Sequence, residues 1–128
     1  MNSNGDVEKS LYQRLGGYDA IAAVVDDFLE RVYSDPQLER YFEGISEKSS
    51  MRTRQLTVDM VCNATGGPCY YTGRDMKTVH VGMGINESDW ELAVNYLIAT
   101  LGKFKVPAEE QKELAAIVGS LKEDIVEK

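Results

Sequence analysis

The sequence predicts an all-α chain, and three observations carry that reading. No segment alternates apolar and polar residues for long enough to make a strand. Apolar residues instead recur at intervals of three and four, and the periodic stretches are separated by residues that cap or break helices.

Taken in order, residues 1–9 (MNSNGDVEK) are polar and are expected to form a flexible segment ahead of a single domain over 10–128. A short helix is expected from about Ser10 to Arg14, stopped at Gly16-Gly17. Asp19 is placed to cap the next, whose buried face is Ile21, Val24, Val25, Phe28, Leu29 and Val32. Ser34-Asp35-Pro36 ends it. Asp35 as cap and Pro36 at the first helical position then predict a turn or two through Leu38 to Phe42. The polar stretch Glu43 to Ser50 reads as a loop leading into a helix from about Ser50 to Ala64. There Leu56, Met60 and either Asn63 or Ala64 share a face flanked by Gln55 and Thr57. Asn86 or Ser88 can cap a long helix carrying Trp90, Val94, Leu97, Leu101 and Phe104. Pro107 opens the last helix, with a stripe of Leu114, Ile117, Val118, Leu121 and Ile125 that Gly119 is not expected to break. The tight connection predicts that these last two helices pack antiparallel.

Composition narrows the function. The chain has 128 residues, 43% of them hydrophobic, enough for one domain with a real core. A net charge of -7, with 14 basic residues scattered among 21 acidic ones, argues against a nucleic-acid surface. Apolar runs such as Ala20 to Val25 are far too short to span a bilayer, and the polar start has no apolar signal core. A cytoplasmic protein is expected. In a reducing cytosol Cys62 and Cys69 are expected as free thiols, although the Gly66-Gly67-Pro68 break between them could bring them together.

The most informative stretch is GGPCYYTGRDMKTVHVGMGI, from Gly66 to Ile85. It holds the only histidine, His80, on an element that turn residues limit to one or two helical turns. A lone histidine is most often a surface or satisfied polar group, and no Cys/His spacing closes a zinc site. Its setting argues otherwise. Met76, Val79, Met83 and Ile85 surround the imidazole with apolar side chains, and glycines allow close backbone approach. One nitrogen in an apolar wall suits axial ligation of a planar iron cofactor.

Tyr71-Thr72-Gly73, Met76-Lys77, His80, Gly82 and Gly84-Ile85 together resemble the proximal segment of the truncated haemoglobins, group I in particular. The resemblance extends to Leu11-Tyr12 with Leu15-Gly16-Gly17, to Asp26-Asp27-Phe28 with Arg31-Val32, to Tyr41-Phe42, and to Gly66-Gly67-Pro68. It implies a two-over-two helical sandwich enclosing haem b, with the iron bound by His80 and the sixth position open to a gas. It further implies that Phe42 packs on the macrocycle and that Met76, Ile85 and Trp90 line the proximal side. Lys77 and Arg74 are candidates for pairing with the haem propionates.

The distal side departs from the family pattern. Members commonly carry tyrosine directly after the phenylalanine of the second helix, whereas this chain has Phe28-Leu29. Gln55 is the only distal glutamine, but the spacing to Gly66 leaves open whether Gln55, Leu56 or Thr57 points inward; Met60 follows one turn on. A hydrogen bond to a polarised acceptor contributes about 1.5–3 kcal/mol. Without that tyrosine, weaker oxygen retention is expected than in members with the full distal set.

The resemblance implies reversible binding of oxygen, nitric oxide or carbon monoxide, extending to oxidation of nitric oxide to nitrate. No reductase segment is visible, so turnover would need a separate electron-donating reductase. A reading of a different class is a haem-free acidic helical interaction module whose glycines only shape loops.

Overall fold

The computed structural model describes residues 9–126. The flexible segment expected at the start therefore falls, except for Lys9, outside the described residues. Seven α-helices and one 3-10 turn follow in order: α1 Leu11–Leu15, α2 Tyr18–Ser34, the turn Glu39–Phe42, α3 Glu47–Ala64, α4 Met76–His80, α5 Glu87–Lys103, α6 Ala108–Gly119 and α7 Lys122–Ile125. No strand occurs among the described residues.

α2 is central because it buries residues on more than one side. Toward α3 it presents Ile21, Ala22, Val25 and Leu29, which close around Val58, itself fully buried. Val24 joins a second cluster built on Leu11, Leu101 and Leu114 from α1, α5 and α6. α2 also meets α5 through a polar contact: the Asp27 carboxylate accepts hydrogen bonds from Arg31 Nε at 2.7 Å, Thr100 Oγ1 at 2.9 Å and Lys103 Nζ at 2.7 Å. These contacts set the α2/α3 pair against α5 and α6, giving the two-over-two arrangement.

Several boundaries differ from the sequence expectations, each for a local reason. Gly17, not Asp19, caps α2. The chain turns through Gly16 and Gly17 at φ +108° and +88°, and Asp19 falls in the first turn, where its charge suits the helix dipole. Asp35 does cap, but the turn it caps is short: its Oδ1 accepts from the backbone N–H of Gln37 and Leu38, and the 3-10 turn begins only at Glu39. α3 starts earlier than expected, at Glu47, because the hydroxyl of Ser46 accepts from Ser49 N at 3.0 Å and caps a polar, solvent-facing first turn. Pro107 is the N-cap of α6 rather than its first residue. The last helix is also broken: α6 ends at Gly119, and α7 packs against α4.

The free-thiol expectation is corrected as well. Cys62 and Cys69 form a disulfide, their Cα atoms 5.8 Å apart. The turn between them permits this because Gly67 has no side chain; a Cβ there would lie 2.4 Å from the Tyr12 ring and 2.7 Å from Cys62 Sγ. The bond ties the end of α3 to the segment leading to α4.

Reducing this disulfide should lower stability by roughly 2 kcal/mol, the loop-closure value for so short a separation. Urea melts with and without reductant test it, and a native protein whose two thiols titrate as free would refute the bond. A second expectation concerns acid. Hydrogen bonds from Lys103 and Arg31, opposed by burial, hold the Asp27 carboxyl well below the usual carboxylate range. A depressed folded pKa contributes stability that is complete above about pH 4 and is lost as pH falls toward the folded value. Asp27→Asn should therefore be less stable than the parent at neutral pH, with the difference shrinking as denaturation is followed into acid. A constant difference across that range would show that the carboxylate's charge is not involved.

Candidate functional site

The site is built around a one-turn helix whose start is capped. Asp75 Oδ1 accepts from Thr78 N at 2.7 Å, which fixes where α4 begins, and Val81 N bonds to Lys77 O at its end. Sequence reasoning passed over Asp75, although an aspartate three residues before Thr78 at the head of a short helix is a capping signal. α7 braces α4 from outside, and Lys122 Nζ reaches Glu87 at 2.5 Å.

Within α4, His80 Nδ1 lies 2.8 Å from the carbonyl oxygen of Met76. A carbonyl only accepts, so Nδ1 must carry the proton. In the neutral ring, the lone pair then sits on Nε2. A backbone carbonyl thus both orients the half-buried imidazole and selects the tautomer that can ligate through Nε2. Beside it Val79 and Val81 are 43% and 66% exposed, apolar surface that a flat hydrophobic group could cover. Among the described residues no group of three or more His, Cys, Asp or Glu side chains could hold a metal ion, so His80 offers one nitrogen rather than a cage. These residues fit a haem: one orientated axial donor set among apolar side chains.

Asp89 secures the other margin of the site. Its side chain is 1% exposed and it accepts from Gln37 Nε2 at 2.7 Å, Arg40 Nη2 at 3.1 Å, Asn86 N at 3.1 Å and the Tyr41 hydroxyl. Four donors fill the acceptor sites of one carboxylate. Burial pushes its pKa up, but the bonds from Gln37, Tyr41 and Asn86 and the charge of Arg40 outweigh it and hold the group ionised. Tyr41 Oη also lies 3.2 Å from Gly84 O, and Arg40 lies over the Tyr41 ring. The 3-10 turn that carries Phe42 is thereby joined to the Gly84-to-Trp90 segment. Sequence reasoning missed Asp89. Its only local signal was the Asn86-x-x-Asp89 capping box at the head of α5.

The remaining candidates fall as follows. Met76, Ile85 and Trp90 are half-buried on α4, the loop after it and the first turn of α5; Lys77 and Arg74 are exposed. Phe42 is half-buried and meets the Tyr33 ring edge-on. Phe28 packs against the α2/α3 cluster, of which buried Leu29 is a member. Leu56, Thr57 and Met60 are half-buried, and Thr57 donates its hydroxyl to Thr53 O at 2.7 Å. Gln55 is exposed, and its amide donates to the Tyr18 hydroxyl at 2.8 Å and to Asp59 at 3.1 Å.

A two-over-two helical frame with a lone imidazole among apolar side chains on its one-turn helix is the frame of a haem protein of the globin type. Known proteins agree. The model of the bacterial-like globin family matches residues 10–127. A group 1 truncated hemoglobin, GlbN, from Mycolicibacterium paratuberculosis is 35% identical over 116 residues, covering 91% of this chain and 83% of its own. The truncated hemoglobin of Tetrahymena pyriformis in its Fe(III) form superposes with a TM-score of 0.85 at 25% identity, covering 94% of this chain and all of that one. The 2/2 hemoglobin of Synechococcus sp. PCC 7002, a cyanomet form with covalently attached heme, gives 0.83 at 26% identity, again over 94% of this chain and all of that one. The chain belongs to the bacterial-like globin family. Its cofactor is haem, and its activity is haem-based gas binding.

Asp89→Ala removes a buried acceptor and leaves Tyr41, Arg40 and Gln37 without it. A loss of about 2–4 kcal/mol in denaturant melts is expected, with Tyr41→Phe costing about 1 kcal/mol. Equal small losses for both would show that the carboxylate does not join these segments.

Proposed function

We propose that this globin reversibly binds oxygen or nitric oxide at a haem b iron ligated by Nε2 of His80. The observation that carries the reading is the bond between His80 Nδ1 and Met76 O, which leaves Nε2 as the ring's ligating nitrogen. The haem supplies the iron-centred binding chemistry, and the protein sets access, polarity and ligand lifetime. Phe42 packs on the macrocycle as an apolar wall. Met76, Ile85 and Trp90 exclude water on the proximal side, and Phe28, Leu29, Leu56 and Met60 keep the distal side apolar. Lys77 and Arg74 lie on exposed surface, where they can pair with propionates. We extend the proposal to oxidation of nitric oxide with oxygen to nitrate, when a separate reductase returns the electron.

The test is an optical spectrum of the purified protein in ferric, ferrous and carbon-monoxide-bound forms beside His80→Gly, with and without added imidazole. A Soret band that is lost or strongly altered in the variant and restored by imidazole is expected. A colourless wild-type protein that takes up no added haem would overturn the reading and leave a helical interaction module.

A further inference from the structure

The Cys62–Cys69 disulfide joins two elements of unequal rigidity. Cys62 belongs to α3, a helix of 18 residues whose Val58 is fully buried in the core. The end of α3 is also tied to α1, because Thr65 O accepts from Tyr12 N at 2.8 Å. Cys69 belongs to the stretch that delivers α4. From Tyr70 to Arg74 the only side-chain hydrogen bond among the described residues is local, from the Tyr71 hydroxyl to Arg74 O. Cys69 itself is held to α3 by the disulfide and by a hydrogen bond from Asn63 Nδ2 to Cys69 O at 3.0 Å. A one-turn helix has no stability of its own, so α4 takes part of its position from α3 through this bond.

The two cysteines differ in access. Cys62 is fully buried, whereas Cys69 is half-buried in a turn between exposed Pro68 and Tyr70, the latter 83% exposed. A thiolate arriving from solvent therefore meets Cys69 first. The turn also has bonds that need no sulfur. Gly67 N donates to Cys62 O at 2.8 Å and Gly66 N to Asn63 O at 3.1 Å, beside the Asn63 bond to Cys69 O. When the disulfide opens, these keep the two thiols side by side, and the bond can close again.

We propose that Cys69 is a site of thiol–disulfide exchange with a dithiol, and that the exchange sets how firmly α4 holds His80. In the first step a thiolate of the dithiol attacks Cys69 Sγ, the bond to Cys62 Sγ breaks, and Cys62 leaves as a thiolate that takes up a proton. The partner's second thiol, as thiolate, then attacks the partner's own sulfur in the mixed disulfide. Cys69 leaves and is protonated, and the partner departs as a disulfide. Two electrons and two protons pass to the cysteine pair, and a disulfide partner of the same class reverses the reaction. A monothiol stops at the first step and is expelled by the neighbouring Cys62, so a dithiol is the class that completes it. Opening frees α4 rather than α3, since α3 keeps its core contacts. The inference rests on the haem-binding reading above and adds a control on it: a looser α4 releases haem faster.

The test compares four forms of the ferric, haem-loaded protein: bond intact, reduced with dithiothreitol and desalted without air, reduced and then re-oxidised, and Cys69→Ala. Two readouts are followed. One is haem transfer to excess apomyoglobin; the other is amide exchange, in low urea, at Val79 N and Val81 N, which bond to Asp75 O and Lys77 O. We expect both about tenfold faster after reduction and in Cys69→Ala, with reversal on re-oxidation and an exchange rate at these amides that does not depend on urea, the mark of local opening. Glutathione trapped by acid quenching is expected on Cys69. Equal haem transfer from the bridged and reduced forms overturns the proposal. So does a disulfide that dithiothreitol opens only in denaturing urea, and so does glutathione found on Cys62. Exchange at Val79 and Val81 that accelerates with urea as steeply as in α2 would show that the bond stabilises the whole fold rather than α4, which also overturns it. Failure of the haem reading is seen separately, as a wild-type protein that takes up no haem; amide exchange and the trapped cysteine then still decide the exchange site.

Discussion

The packing of α2 into two clusters at once is the constraint from which the rest of the molecule follows. One side closes on Val58 of α3, another reaches Leu101 and Leu114 through Val24, and Asp27 bonds across to Thr100 and Lys103. A helix so engaged can neither rotate nor slide without opening a cavity or stripping donors from a carboxylate, and both are costly. Because α2 is held, so is the level at which Leu29 and Tyr33 stand. The position of α3 opposite them follows, and so does the 3-10 turn that brings Phe42 to the Tyr33 ring.

The site itself has little regular structure. α4 is one turn long, and a helix of that length has no stability of its own. It exists because Asp75 caps it and α7 packs against it, while the disulfide on one side and the Asp89 carboxylate, bonded to Tyr41 and Asn86, on the other restrain the chain. The same economy governs the imidazole. A single backbone carbonyl sets both the direction of His80 and the nitrogen that bears its proton, so no charged partner is needed to choose the tautomer. Asp89 does comparable work at the far margin, where one buried carboxylate gathers a side-chain amide, a guanidinium, a phenol and a backbone N–H.

Much of this was legible in the sequence, and the parts that were not share a cause. Helical periodicity and breakers identified the principal helices, and the glycines around His80 marked the short helix that carries it, because both are local properties of neighbouring residues. The errors arose where a partner distant in sequence, or a weak local signal, decided the outcome. The first turn of α3 looked like loop because it is polar, yet a Ser46 cap is enough to start it. Gly119 looked tolerable inside one long helix, but the chain breaks there and α7 is delivered to α4. The cysteines were read from compartment, whereas a side-chain-free Gly67 lets the turn bring them into bonding range.

By itself the sequence determined the all-α class and the family, since both are encoded in composition, spacing or contiguous motifs. Only the tertiary structure decided where the polar groups turn and which of them are buried. Gln55 sits where a distal residue was expected but turns to Tyr18. Asp89, which the sequence marks only through the capping box at the head of α5, is buried among donors. Tyr33, which no sequence pattern singled out, buries a hydroxyl that has no partner among the described residues. A polar side chain's role depends on whether water or protein surrounds it, and that is settled by residues far along the chain rather than by its neighbours.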